Sequence, residues 1–477
     1  MHVQLRISGS DTALVRSHLF RHDGVEHGVV LACRTLQTAR GLRLLVRDVF
    51  VARDGVDFTL GPSGFQFSAL FVAKTSDWCR DHGCVWLSVH NHGDGNAVAF
   101  SRIDKSSHSR LYPTLLDLTG EPVGALVFAS NAVAGRLLMP GLKMGDLDEC
   151  VVVGERLEWL FPAPPPPPQA IGTAWNRQAM LLGPRGQELL RHTKVGVIGA
   201  GGGGALVLEQ LAHLGLGEVV AIDPERIDTS NLSRIPGSTR ADASAWLAEL
   251  PFDAAKRLAR RIARPKVAVA GRVASRANHG GRFRAIRGDV RDAEAIGELF
   301  DCDFIFCATD TMKSRLLFNI LAYQFLIPGI QIGTKIPVSL QGHVGPIHVA
   351  VRFVTPDSGC LVCAGAISQR LLNAEALTEL DQKAQRYVDD PDVQEPSVIS
   401  LNSIAAAHAT TDFLFYLTGL HDPGVDLAHQ LFEPRSRTFG NVRFARDPDC
   451  NFCGRGEASR FAAGERAPLP VRASKRR

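Results

Sequence analysis

At 477 residues the chain is too long for one ordinary hydrophobic core, and its 45% apolar and 21% charged content reads as two or three folded globular domains. Its 53 basic and 49 acidic side chains leave a net charge of +4, which gives no electrostatic case for nucleic acid as the main partner. The N-terminus lacks the apolar run of a signal peptide and no segment is apolar enough to span a bilayer, so the expected location is cytoplasmic, with no membrane partner.

In chain order, ALVRSHLF predicts a helix, followed by strands in HGVVLACR, LRLLVRDVFVA and CVWLSVHNH. SRIDKSSHSRLYPTLLDL predicts a helix before the strand VGALVFAS, so residues 1–160 form an α/β domain. The run FPAPPPPPQAIG, residues 161–172, is an extended proline-rich linker. Beyond it come strand KVGVIGA, helix GALVLEQLAHLG, strand EVVAID, helix AAKRLARRIA, strand FRAIRG, helix DAEAIGELF and strand FIFCATD. This alternation predicts a Rossmann-like, doubly wound parallel sheet within a second domain spanning residues 173–457. The basic end, residues 458–477, reads as a disordered tail.

IGAGGGGALVLEQL closes a strand and opens a helix, and Gly199, Gly201 and Gly204 fit the G-x-G-x-x-G pattern that lets backbone N–H groups approach phosphate. Asp223 ends the next strand, where an acid can bind ribose hydroxyls, so a dinucleotide dehydrogenase is the first alternative. Asn231, Arg234, Lys256 and Asp310 argue against it: hydride transfer has no need of two cations and a further acid, whereas attack on the α-phosphate of ATP needs charge neutralisation and a magnesium ligand. This ordered set resembles the ThiF/MoeB and ubiquitin-activating adenylation family. The resemblance implies binding of ATP and magnesium by these residues, with Arg234, Lys256 and Asp310 catalytic. It also implies a homodimer in which Arg177, in WNRQAMLLGPRGQELL, reaches a neighbouring subunit's site.

Cys360 and Cys363 in GCLVCAG pair with Cys450 and Cys453 in DCNFCGRG, two C-x-x-C knuckles whose thiolates suit a closed, structural zinc site. Residues 364–449 contain no cysteine, which predicts adenylation without a stable cysteine thioester on this domain.

His90 and His92 alternate on one face of a predicted strand, and Ser101 predicts an N-cap with Asp104 one turn on. Two imidazoles and a carboxylate can hold zinc with one position open for water. The pattern resembles the JAMM/JAB metalloprotease motif, with Glu26 in GVEHGVVLACR at the place of that family's upstream glutamate. The resemblance implies that Glu26 shuttles a proton and that Ser101 helps hold the oxyanion. Gly93 stands where the family usually has proline, and eight residues separate His92 from Ser101 where seven are common.

The two resemblances together imply a bifunctional enzyme: adenylation of the C-terminal glycine of a small β-grasp ubiquitin-like protein, and cleavage after that glycine. A conjugating enzyme would be a further partner. The alternative is a sulfur-carrier adenylyltransferase with a carrier-processing peptidase, and a non-catalytic scaffold is a third class.

Overall fold

The computed structural model describes all residues except 1, 22, 62–63, 169–171, 279, 340, 377–395, 428 and 474–477. Backbone contacts divide the chain into two compact units, one of residues 1–167, 323–326 and 451–468, the other of the remainder.

The first unit is built on β1 (His2–Ser8), β2 (Gly28–Gln37), β3 (Gly41–Val51), the hairpin β4 (Phe58–Gly61) and β5 (Gly64–Phe67), and β6 (Val85–Asn91). It continues with β7 (Val123–Ala129), β8 (Ala132–Met139), β9 (Lys143–Asp146), β10 (Glu149–Val153) and β11 (Leu157–Leu160). Nine of these strands form one sheet in the order β11-β10-β1-β3-β2-β6-β7-β8-β9. The continuous apolar run of β2 is explained by burial on both faces. Val29, Leu31 and Cys33 join a core with Val15 and Leu19 of helix Gly9–Leu19. Val30 and Ala32 face a second core with Phe71, Tyr112 and Leu115, from helices Ala69–His82 and Arg102–Thr119.

The second unit carries β12 (Lys194–Ile198), β13 (Glu218–Ile222), β14 (Arg282–Ile286), β15 (Phe304–Cys307), β16 (Gly329–Lys335), β17 (His348–Val354), β18 (His429–Glu433) and β19 (Thr438–Val442). The sheet order is β14-β13-β12-β15-β16-β17-β18-β19. Strands β12 to β16 pair in parallel, and β17, β18 and β19 extend the sheet antiparallel, so the sheet is mixed where a parallel one was expected. Strand β12 lies between β13 and β15, so the chain leaves it in opposite directions; this is where a doubly wound sheet opens a crevice for nucleotide.

Three readings of the sequence are corrected. Strand β1 was not anticipated because Gln4 and Arg6 interrupt its apolar pattern; both are buried, and Arg6 donates to Gln4 Oε1 (2.9 Å) and the Leu326 carbonyl (2.9 Å). Residues 458–468 are packed rather than a disordered tail: Phe461 and Ala462 are fully buried, and the Phe461 carbonyl accepts from Arg47. The last four tail residues, and linker residues 169–171, lie outside the described ones. The helix expected over AAKRLARRIA spans Asp253–Ile262, but a second one, Lys266–Ala277, follows it across Pro265. Among the described residues no helix is long and apolar enough to cross a membrane.

Candidate functional sites

In the second unit, the loop after β12 turns into helix Gly202–Leu214. Gly199 has φ of 94°, a backbone open mainly to glycine, and a Cβ on Gly204 would fall 1.9 Å from the Gly199 carbonyl oxygen. The glycines thus serve two ends: Gly199 and Gly201 line a cavity of about 560 Å³, while Gly204 lets the helix pack on the strand. Asp223 directly follows β13 and accepts hydrogen bonds from the N–H groups of Ala200 (2.7 Å) and Glu225 (2.8 Å). Burial raises its pKa above the ordinary carboxylate value, against the opposing pull of Lys266 and these two N–H groups.

Asn231, Arg234 and Asp310 join Asp223 in the cavity wall. Asn231 is fixed by a short capping turn in which its Oδ1 accepts from Asp228 N–H (3.1 Å), and Arg234 donates to the Ser230 carbonyl (2.9 Å). Lys256 does not join them. It is exposed on helix Asp253–Ile262, whereas Lys266, at the start of the following helix, is buried, lines the cavity and pairs with Glu225. The expectation fell on Lys256 because AAKRLARRIA carries the stronger helical pattern, whereas the lysine that lines the cavity follows Pro265, the N-cap of the next helix. Arg315 and Asn402 also line the cavity and were not singled out. Arg177 is exposed on helix Asn176–His192 and is not part of this wall.

In the second unit Cys360, Cys363 and Cys450 are free thiols, and Cys453 of the first unit is free as well. Cys360 Sγ and Cys450 Sγ are 3.7 Å apart, close to the spacing of about 3.8 Å that tetrahedral Zn–S bonds of about 2.3 Å impose.

In the first unit, β6 delivers His90, and His92 follows just past its end. Their Nε2 atoms lie 3.1 Å apart, each 3.5 Å from a different oxygen of Asp104. Ser101 and Asp104 cap helix Arg102–Thr119 reciprocally: Asp104 N–H donates to Ser101 Oγ (3.1 Å) and Ser101 N–H to Asp104 Oδ2 (2.7 Å). Burial alone would raise the Asp104 pKa, but the hydrogen bonds from His90 and Ser101 bring it well below the ordinary carboxylate value. His92 Nδ1 lies 3.2 Å from the Ala99 carbonyl, and an N–H donated there would leave Nε2 with the free lone pair. Two imidazole nitrogens and a carboxylate on one point suit zinc with an open position.

Gly28 of β2 pairs with His90, so the start of β2 brings Glu26 beside the histidines, 3.9 Å from His92 Nε2. Gly93 has φ of 50°, which proline, fixed near −65°, cannot adopt. The residues after it are held to the β7–β8 turn, through Ser130 Oγ to Asp94 (2.9 Å) and Asn131 N–H to the Gly95 carbonyl (3.0 Å).

A sulfur carrier protein adenylyltransferase of Thermus thermophilus is 28% identical over 43% of this chain and 76% of its own length. A SAMP-activating enzyme E1 of Haloferax volcanii is 25% identical over 58% and 85%, respectively. A molybdopterin-synthase adenylyltransferase of Escherichia coli is 22% identical over 59% and 95%. Residues 175–452, more than half of the chain, match the ThiF family as a whole, and the chain belongs to that family.

Proposed function

We propose that the second unit adenylates the C-terminal carboxylate of a small β-grasp carrier protein with ATP. The convergence of Asp223, Asn231, Arg234, Lys266 and Asp310 on one glycine-rich cavity carries this reading. The N–H groups at the helix N-terminus would hold the triphosphate, and Asp223 the ribose hydroxyls. Arg234 and Lys266 would offset the charge that builds as a carboxylate oxygen bonds to the α-phosphorus and the bond to the pyrophosphate leaving group breaks. Asp310 would hold magnesium, which supplies further neutralisation of the phosphates. ATP–pyrophosphate exchange driven by a cognate carrier tests this. Asp310→Ala should abolish exchange, and retained exchange would remove Asp310 from the role.

We further propose that the first unit is a zinc peptidase of the JAMM type that cleaves after the carrier's terminal glycine. His90, His92 and Asp104 would hold the ion, which supplies an activated water and a Lewis acid. Glu26 would take the water's proton and pass it to the leaving amine, and Ser101 Oγ–H would donate to the oxyanion. Glu26→Gln should keep the zinc content of the wild type and lose cleavage of a carrier bearing a C-terminal extension. Cleavage at the wild-type rate would place the base elsewhere.

The name of the Thermus relative favours a second version, in which the carrier delivers sulfur and is not conjugated to proteins. No cysteine lies between residues 364 and 449, so in either version the acyl-adenylate would pass directly to a partner's nucleophile or a sulfur donor. Arg177 would complete the nucleotide site of a second copy in a homodimer. A structural zinc in the four cysteines and a conjugating enzyme as further partner belong to the same reading.

A further inference from the structure

Five arginines, Arg34, Arg47, Arg455, Arg460 and Arg466, line one cavity of about 450 Å³ in the first unit, and it shares no residue with the His90–His92–Asp104 group. Three of them have evident structural work. Arg47 donates to the carbonyls of Ser459 (3.1 Å), Gly456 (2.8 Å) and Phe461. Arg455 pairs with Asp11 (3.0 Å) and lies over the Phe461 ring, and Arg460 donates to Gln324 Oε1 (2.7 Å) and the Pro468 carbonyl (3.1 Å). Carbonyl and amide oxygens satisfy the hydrogen bonds of Arg460 without balancing its charge, and those of Arg47, whose charge also has Asp48 at 3.6 Å.

Arg34 and Arg466 have less. Arg34 donates to the Gly83 carbonyl (3.1 Å), and its buried Nε has no acceptor. Arg466 has no side-chain hydrogen bond or ion pair among the described residues. Its guanidinium packs on Gly83, where a Cβ would fall 1.5 Å from Nη2. Both therefore converge on the residue that ends helix Ala69–His82, and that helix's negative end carries only about half a charge. The cavity's carboxylates are Asp48, 3.6 Å from Arg47, and Glu457, whose side chain is 90% exposed. With Asp11, which pairs with Arg455, three acids, one of them in solvent, stand against five guanidinium groups. Burial also pulls the pKa values of Arg34, Arg47 and Arg460 below the usual guanidinium value.

We propose that this cavity binds a small phosphate-bearing anion, with Arg34 and Arg466 as its main contacts. Several guanidinium forks converging from different elements suit a tetrahedral anion with many acceptor oxygens better than a single carboxylate. The volume falls in the range of small-molecule pockets and exceeds what one orthophosphate fills. Trp78 and His82, stacked with centroids 3.9 Å apart, give one wall an aromatic surface.

Calorimetric titration of the full chain at fixed ionic strength tests this, with inorganic pyrophosphate and cytidine diphosphate as probes. The wild type should show one more site per chain than Arg34→Gln/Arg466→Gln, with affinity at that site reduced at least roughly tenfold in the variant. ATP–pyrophosphate exchange by the variant should be unchanged, which separates this site from the nucleotide cavity. Tighter cytidine diphosphate would assign a phosphate ester as the ligand class, and tighter pyrophosphate a free polyphosphate. Should the double glutamine variant unfold, Arg34→Lys/Arg466→Lys keeps the charge, loses the forks and should still bind more weakly than wild type. Identical isotherms for wild type and a folded variant, or heats that vanish against a matched chloride control, would overturn the proposal.

Discussion

Lys266→Ala should lower carrier-dependent ATP–pyrophosphate exchange by roughly two to three orders of magnitude, while Lys256→Ala should leave it within about twofold. The difference follows from placement. Lys266 is 8% exposed and lines the glycine-rich cavity beside Asp223, whereas Lys256 is exposed on the preceding helix. A positioned donor facing charge that develops in a transition state is worth about 3–4 kcal/mol in a water-poor site, and each 1.4 kcal/mol is about tenfold in rate. The folding cost should be much smaller. The partner of Lys266 is Glu225, whose side chain is 66% exposed, so loss of this screened pair should cost at most about 1 kcal/mol. A melt within a few degrees of wild type, together with lost exchange, would therefore locate the defect in chemistry. Isotope exchange between labelled pyrophosphate and ATP, with saturating carrier, reads the rate directly. Retained exchange in Lys266→Ala with loss in Lys256→Ala would refute the assignment and restore the lysine expected from the motif.

Gly204→Ala should weaken ATP binding and lower the melting temperature together, because its Cβ would meet the Gly199 carbonyl at 1.9 Å and push the helix off the loop; an unchanged ATP affinity by calorimetry would contradict this. His429 is buried at the start of β18, and burial, aided by the charge of Arg352, lowers its pKa to about 3. Its folded pKa lies below the unfolded value of 6.5, so the unfolded chain binds the extra proton, and stability present above pH 6.5 is lost as pH falls toward about 3. His429→Phe should flatten the denaturation midpoint against pH in that window; an identical slope would show that other groups dominate it.

Much of both candidate sites was legible because their chemistry is local in sequence. Gly199 to Gly204 sit on one strand–helix turn, and His90, His92, Ser101 and Asp104 span the end of one strand and the first turn of one helix. Glu26 was legible only through its distance to a motif, and pairing of Gly28 with His90 is the physical reason it arrives there. What stayed hidden depends on contacts far apart in the chain. Gln4 and Arg6 look like solvated residues until the Leu326 carbonyl is seen to accept from Arg6. The basic end looked disordered because its composition shows charge, while Phe461 and the carbonyls that Arg47 binds show their role only when folded. Lys266 was passed over since a charged amphipathic helix gives a louder periodic signal than a proline–lysine pair at a cavity edge.

The most direct measurement is the fate of ATP when the chain is mixed with magnesium and a β-grasp carrier ending in glycine. Mass spectrometry should find the carrier heavier by one AMP, with pyrophosphate released in equal amount and no carrier adduct when its terminal carboxylate is amidated. Formation of ADP and phosphate, or an unmodified carrier with ATP intact, would contradict attack at the α-phosphate and with it the assignment of the second unit.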